Sequence, residues 1–239
     1  MGLTEPEKKA PEDHARRVRK MFARISPRYD LLNHLLSANI DKRWRRAVIR
    51  ALRPQVPANA QLLDVACGTG DLSIELFENF GGPVVGLDFC RPMLELAAVK
   101  AAQLSFVEGD ALQLPFADSS FDAVTIGFGL RNLSSVERGL SELRRILKPQ
   151  GWVAILEFSR PSVPGFRALV SVFYKHLLPR LGGWISGSRS AYEYLPDSIS
   201  RFPDQRTLAA MMRAAGFDKV SFRNLTGGVV ALHTGQRSR

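Results

Sequence analysis

The sequence predicts a doubly wound, mostly parallel α/β sheet, and three observations carry that prediction. From Gln61 onward, short apolar runs alternate with segments of helical period. Glycines gather in "LLDVACGTGDLS", where the first apolar run meets the first helix of the series. Acids close the first apolar runs, at Asp64, Asp88 and Asp110. Strands recurring between helices require right-handed crossovers, and such sheets bind ligands beyond the C-terminal ends of their strands.

The elements follow in order. "QLLDVA" reads as a buried strand and "DLSIELFENF" as the helix after the glycine turn; "PVVGLDF" is the second strand and "RPMLELAAVKAA" the second helix. "LSFVEGD" and "FDAVTIGFGL" are the third and fourth strands, "VERGLSELRRILKP" is the next helix, and "GWVAILEF" is the fifth strand. Apolar runs of this length, bounded by turn residues, suit strands covered on both faces.

Two regions stand outside this rhythm. Residues 1–60 read as a leader and a helical lid segment, with "HARRVRKMFARI" strongly basic. Residues 61–239 form the main domain, interrupted after the fifth strand by an insertion at about 160–204. There Phe166, Leu169, Val170, Phe173, Leu177, Leu178 and Leu181 recur at helical spacing, which suits either core packing or a lid over an apolar ligand.

Composition narrows the function classes. With 45% hydrophobic and 23% charged residues the chain reads as globular, and no stretch reaches the roughly 20 apolar residues that span a bilayer. The opening "MGLTEPEKKAPEDHARR" lacks the apolar core of a signal peptide, so a cytoplasmic location is expected. Cys67 and Cys90 and the four scattered histidines have no ligand spacing, so no metal is expected. The net charge of +10 asks for an acidic partner: nucleic acid, anionic lipid or an anionic substrate.

The glycine turn lets a ligand approach main-chain N–H groups that a Cβ would shield. The third glycine of the dinucleotide fingerprint is replaced by Ser73, which argues against NAD and FAD. Asp88 is placed to accept both ribose hydroxyls of an adenosine ligand. Asp110 can accept from an exocyclic amine of adenine while Ala111 offers its backbone N–H. In "VTIGFGLRNL" an apolar strand gives way to Arg131 and Asn132, which suit either a capped surface turn or a site at the strand's mouth.

The region from about Gln61 to Phe158 resembles the class I S-adenosylmethionine-dependent methyltransferases, with "DVACGTG" as the glycine loop. A narrower resemblance covers nearly the whole chain: it is similar to the menaquinone/ubiquinone C-methyltransferase family in "RYDLLNHLLSANIDKRWRR", "GFGLRNL" and "YEYLPDSISRFPDQRTLAAMMRAAGF". Ala66 stands where many members carry glycine, Leu32 where Met is frequent, and Gly127 where many have serine; "ANID" lacks the family's common Gly and His.

This resemblance implies a seven-stranded Rossmann-like sheet with S-adenosyl-L-methionine as methyl donor. It implies cofactor contacts at Asp64, Gly68, Thr69, Gly70, Asp88, Asp110, Ala111 and Gly127. The acceptor implied is a polyprenylated quinol, demethylmenaquinol in first place, with the benzoquinol intermediate of ubiquinone biosynthesis as the alternative. Arg131 would stabilise a developing phenolate, Asn132 would orient a ring oxygen, and Tyr29, with Asp30, would close the pocket or pass a proton.

Basic residues Arg16, Arg17, Arg19, Lys20 and Arg24 would then rest on an anionic membrane surface, where the isoprenoid tail resides. Competing readings are methylation of a sterol, a tocopherol precursor or a small phenol, a nucleic-acid methyltransferase, and an inactive relative that keeps the fold. A nucleic-acid substrate is disfavoured because the chain has no "NPPY"-like motif and few aromatics in its basic segments.

Overall fold

Strands β1 (Leu62–Val65), β2 (Val84–Asp88), β3 (Ser105–Glu108), β4 (Phe121–Gly127), β5 (Leu147–Phe158), β6 (Phe217–Leu225) and β7 (Val230–Arg237) make one sheet in a computed structural model of the chain. Residues 5–37, 39–161, 165, 170 and 189–239 are described. The spatial order is β3-β2-β1-β4-β5-β7-β6, parallel except that β7 runs antiparallel to both β5 and β6. The order reverses between β1 and β4, which opens a crevice beyond their C-terminal ends.

Period-two alternation builds two apolar layers from the same strands. On one face Leu62, Ala154 and Leu156 pack with Trp44, Val48 and Leu52, whereas on the other Leu63, Val153 and Ile155 pack with Leu140, Leu143, Leu208 and Met212. Burial on both sides explains why these strands read as continuous apolar runs.

Helices α1 (Glu5–Ile25), α2 (Tyr29–Leu36) and α3 (Ile40–Leu52) precede the sheet; α4 (Asp71–Phe80), α5 (Arg91–Lys100), α6 (Val136–Ile146), α7 (Arg189–Arg201) and α8 (Gln205–Ala214) follow within it. Among the first 60 residues, α3 belongs to the core. It buries Trp44, Ala47, Val48 and Leu52, and the Trp44 indole donates to Thr226 Oγ1 at 2.8 Å. Among the described residues of this region, α1 and Tyr29 alone reach the crevice.

Two of the helices start at side-chain caps. Ser135 Oγ accepts from Arg138 N–H at the head of α6, and the Asp204 carboxylate accepts from Thr207 N–H at the head of α8. Of the apolar stripe in the insertion, Val170 packs against the Trp44 layer; its other six members lie outside the described residues. Among the described residues no helix is long and apolar enough to cross a membrane.

Candidate functional site

The glycine loop turns back on itself through three left-handed residues, Ala66 (φ 53°), Gly68 (φ 56°) and Gly70 (φ 83°). Glycine relieves the strain at two of them; Ala66 bears it. Gly68 donates its N–H to Asp88 Oδ2 at 2.9 Å and lies beneath the Tyr29 ring, whose Cε1 would sit 3.7 Å from a Cβ added there. Gly70 instead faces the protein, since a Cβ there would meet Ala97 and Phe106 at 3.2 Å.

Asp64 lies under the loop, 1% exposed, and accepts from the Ser73 and Thr125 hydroxyls at 2.7 Å each. Burial pushes its carboxyl up to about 6. Thr69 is also turned inward, donating to Asp30, whose other oxygen pairs with Lys100 at 2.8 Å. Asp64, Thr69 and Gly70, expected as cofactor contacts, therefore do not line the crevice. They support the loop from behind, because each has a closer partner in the body of the protein.

Gly68, Asp88, Asp110, Ala111, Gly127, Asn132 and Tyr29 do line one cavity of about 730 Å³. Asp88 closes β2 with its second oxygen accepting from Cys90 N–H at 2.8 Å, and burial raises its pKa above the ordinary carboxylate value. The Asp110 carboxylate accepts from Leu112 N–H at 2.8 Å, which shapes the turn that carries Ala111. A cavity of this size, part apolar and with convergent polar groups, suits a ligand of nucleoside size together with a ring beside it.

The opposite wall is the 3₁₀ turn Leu130–Asn132, after Phe128 at φ 57°. Successive residues on a 3₁₀ turn point about 120° apart, so Arg131 and Asn132 cannot face the same way. Asn132 enters the cavity. Arg131 turns into the protein, where Nη1 donates to Glu157 Oε1 at 2.7 Å and to the Phe128 carbonyl, and the guanidinium lies 5.2 Å from the Phe158 ring centroid. Arg131, expected beside the substrate, is in this structure a buried partner of Glu157, their side chains being 7% and 2% exposed.

Three contributors to this wall escaped sequence reasoning. Glu157 had a signal, an acid inside the buried run "WVAILEF". His14 Nε2, 3.2 Å from the Asn132 carbonyl, had none, being 118 residues away; Tyr194, whose hydroxyl donates to Asn132 Oδ1 at 3.1 Å, stands in the family segment "YEYLPDSISRFPDQRTLAAMMRAAGF", but nothing there linked it to Asn132, 62 residues away. Helix α1 crosses the cavity mouth, where Phe22 packs edge-on against Tyr29 and Arg19 pairs with Glu108. Burial raises the Tyr29 phenol above its ordinary value, so it is held protonated.

His34, Asp41 and Asp71 bring an imidazole nitrogen and two carboxylate oxygens within 4.8 Å of one another. Arg45 already serves them, at 2.8 Å from Asp41 and 3.2 Å from Asp71, and it reaches Glu75 at 3.3 Å. The cluster is an ion-pair network that ties α2 and α3 to α4.

Comparison with known proteins agrees with this geometry. The ubiE/COQ5 methyltransferase family matches residues 9–237. A demethylmenaquinone methyltransferase of Thermus thermophilus is 48% identical over 222 residues, covering 91% of this chain and 100% of that protein. The ubiquinone/menaquinone biosynthesis C-methyltransferase UbiE of Citrifermentans bemidjiense is 40% identical over 236 residues, covering 95% and 99%. Among solved structures, a SAM-dependent methyltransferase of Thermotoga maritima superposes with a TM-score of 0.66 at 18% identity, covering 92% of this chain and 99% of that one. That likeness places the sheet in the class I, Rossmann-like fold.

Proposed function

The chain belongs to the ubiE/COQ5 methyltransferase family, and from that premise we propose that it moves a methyl group from S-adenosyl-L-methionine to a ring carbon of a polyprenylated quinol, demethylmenaquinol foremost. The observation that carries this reading is that one cavity joins the Asp88–Asp110 end to the Asn132–Tyr29 end. A donor and an acceptor can therefore meet in it without crossing water.

In this reading Asp88 accepts from the ribose hydroxyls, Asp110 and the Ala111 N–H meet the adenine, and Gly68 and Gly127 give the donor's chain room along the backbone. Asp64, Thr69 and Gly70 fix the loop rather than touch the ligand. The sulfonium supplies the leaving group, so the protein must align the methyl with the ring carbon and favour the phenolate form of the quinol. Asn132 is the donor to the ring oxygen, and Tyr29 closes the pocket over the glycine loop. Arg131 holds the turn that presents Asn132, its charge balanced by Glu157.

A second acceptor, the benzoquinol of ubiquinone biosynthesis, stays in view because the Citrifermentans relative carries the joint name. The basic stripe Arg17, Lys20 and Arg24 is exposed on α1, and we assign it to an anionic bilayer surface at about 1 kcal/mol per cation. Helix α1 with Tyr29, and the insertion at about 160–204, much of which lies outside the described residues, are proposed as the lid of the quinol end.

One assay tests these points. The protein receives S-adenosylmethionine and a demethylmenaquinone in vesicles, either reduced by dithionite or left oxidised, and products are read by mass spectrometry. Methylation of the reduced ring alone, faster on anionic vesicles, is expected, because an oxidised quinone has no hydroxyl proton to lose and an electron-poor ring. Equal methylation of the oxidised ring would overturn the phenolate mechanism, and no methylation of either ring would overturn the acceptor.

A further inference from the structure

Asn132 could present either end of its amide to a ligand, and the two ends are chemically opposite. A carboxamide has one oxygen that accepts and one nitrogen that donates two hydrogens. For an acceptor that becomes a phenolate, only the nitrogen end helps; an oxygen facing it would repel.

Two neighbours decide the matter. Helix α7, in the C-terminal part of the insertion, brings the Tyr194 hydroxyl to 3.1 Å from Asn132 Oδ1, and the Phe128 carbonyl lies 3.3 Å from Asn132 Nδ2. A carbonyl can only accept, so it must face the nitrogen; the phenol then donates to the oxygen. With the oxygen served and one N–H directed at Phe128, the second N–H is left for the cavity that Asn132 lines. The His14 imidazole, 3.2 Å from the Asn132 carbonyl, pins the main chain of the same residue. A hydrogen bond to the amide oxygen also polarises the amide and strengthens its N–H as a donor.

We propose that Tyr194 is a positioning residue: its hydroxyl fixes the Asn132 amide with the nitrogen toward the quinol oxygen, so that the C-terminal helix of the insertion completes the acceptor site. Burial raises the Tyr194 phenol above its ordinary value, which keeps the donating proton in place across the working range. This inference rests on the proposed reading that Asn132 meets the acceptor.

A double-mutant cycle separates the two. Tyr194→Phe, Asn132→Ala and the double variant are compared for quinol turnover, quinol KM, S-adenosylmethionine affinity by calorimetry, and thermal melting. Loss of one hydrogen bond predicts a fall in kcat of about five- to tenfold for Tyr194→Phe, with cofactor affinity kept. The double variant should be no slower than Asn132→Ala, since a residue that acts only through Asn132 has nothing left to orient. Tyr194→Met tests the same bond if the phenylalanine variant melts early. Costs that multiply in the double variant, or normal turnover of Tyr194→Phe beside an impaired Asn132→Ala, would overturn the inference and leave the acceptor site standing. Full turnover of Asn132→Ala would overturn both.

Discussion

Neutralising Glu157 tests the claim that Arg131 is a buried structural cation. Its carboxylate accepts from Arg131 Nη1 at 2.7 Å, from Arg131 N–H at 3.2 Å and from Phe158 N–H at 2.8 Å. Both side chains are nearly inaccessible, 7% and 2% exposed, so water cannot screen the guanidinium once its partner is gone. Arg131 Nε is already buried without a partner, which leaves little slack for a further loss. Glu157→Gln keeps one oxygen for three donors and turns an amide NH₂ toward a cation. Removing one member of a buried pair costs about 3–5 kcal/mol, whereas replacing both by apolar residues is often neutral or better. Urea unfolding at neutral pH should therefore show a loss of about 3 kcal/mol or more for Glu157→Gln, and Arg131→Met with Glu157→Leu should recover most of it. A loss below about 1 kcal/mol for the single change would mean that the guanidinium finds water, and Arg131 would return to the cavity as a candidate contact.

Burial pushes the Asp64 carboxyl up to about 6 from 3.8, so the folded chain keeps a proton that the unfolded chain releases, and stability falls as pH rises from about 4 through 6. Asp64→Asn removes that penalty: in urea unfolding its gain over the parent should reach about 3 kcal/mol at pH 8 and shrink toward pH 4.5, and an equal difference at both would refute the shift. Gly129→Ala would set a Cβ 2.4 Å from the Ala66 Cβ, an overpacking worth about 1–3 kcal/mol. Ala66→Gly should relieve both this clash and the left-handed strain at Ala66, so thermal melting should show the double variant above Gly129→Ala alone; simple addition of two losses would refute the contact.

The sheet was legible because its central strands are buried on both faces and its helices carry an apolar stripe, both of which leave local marks in the sequence. "DLSIELFENF" is α4 residue for residue, and "PVVGLDF" contains β2. The glycine loop, Asp88 and Asp110 were legible for a similar reason: a parallel strand's C-terminal end is where a sharp turn and a polar residue coincide. Periodicity could not tell which side of the loop a residue faces. Asp64 and Thr69 belong to the same "DVACGTG" as Gly68, yet Ser73, Thr125 and Asp30 draw them inward.

The Arg-Asn pair illustrates the limit most clearly. In the sequence the two residues are neighbours and invite one role, an arginine and an amide both turned on a ring oxygen. The chain leaves β4 through a left-handed Phe128 into a 3₁₀ turn, and that turn splits them. The direction each takes is then set by distant partners: Glu157 on the next strand draws the guanidinium in, while Tyr194 and the Phe128 carbonyl hold the amide at the cavity wall. In the proposed reading the site's chemistry is therefore divided between a charge that stabilises the turn and a neutral donor that faces the ligand. A neutral donor suits an acceptor whose charge appears only on deprotonation, because it stabilises the phenolate without bringing a second unbalanced charge into a closed pocket.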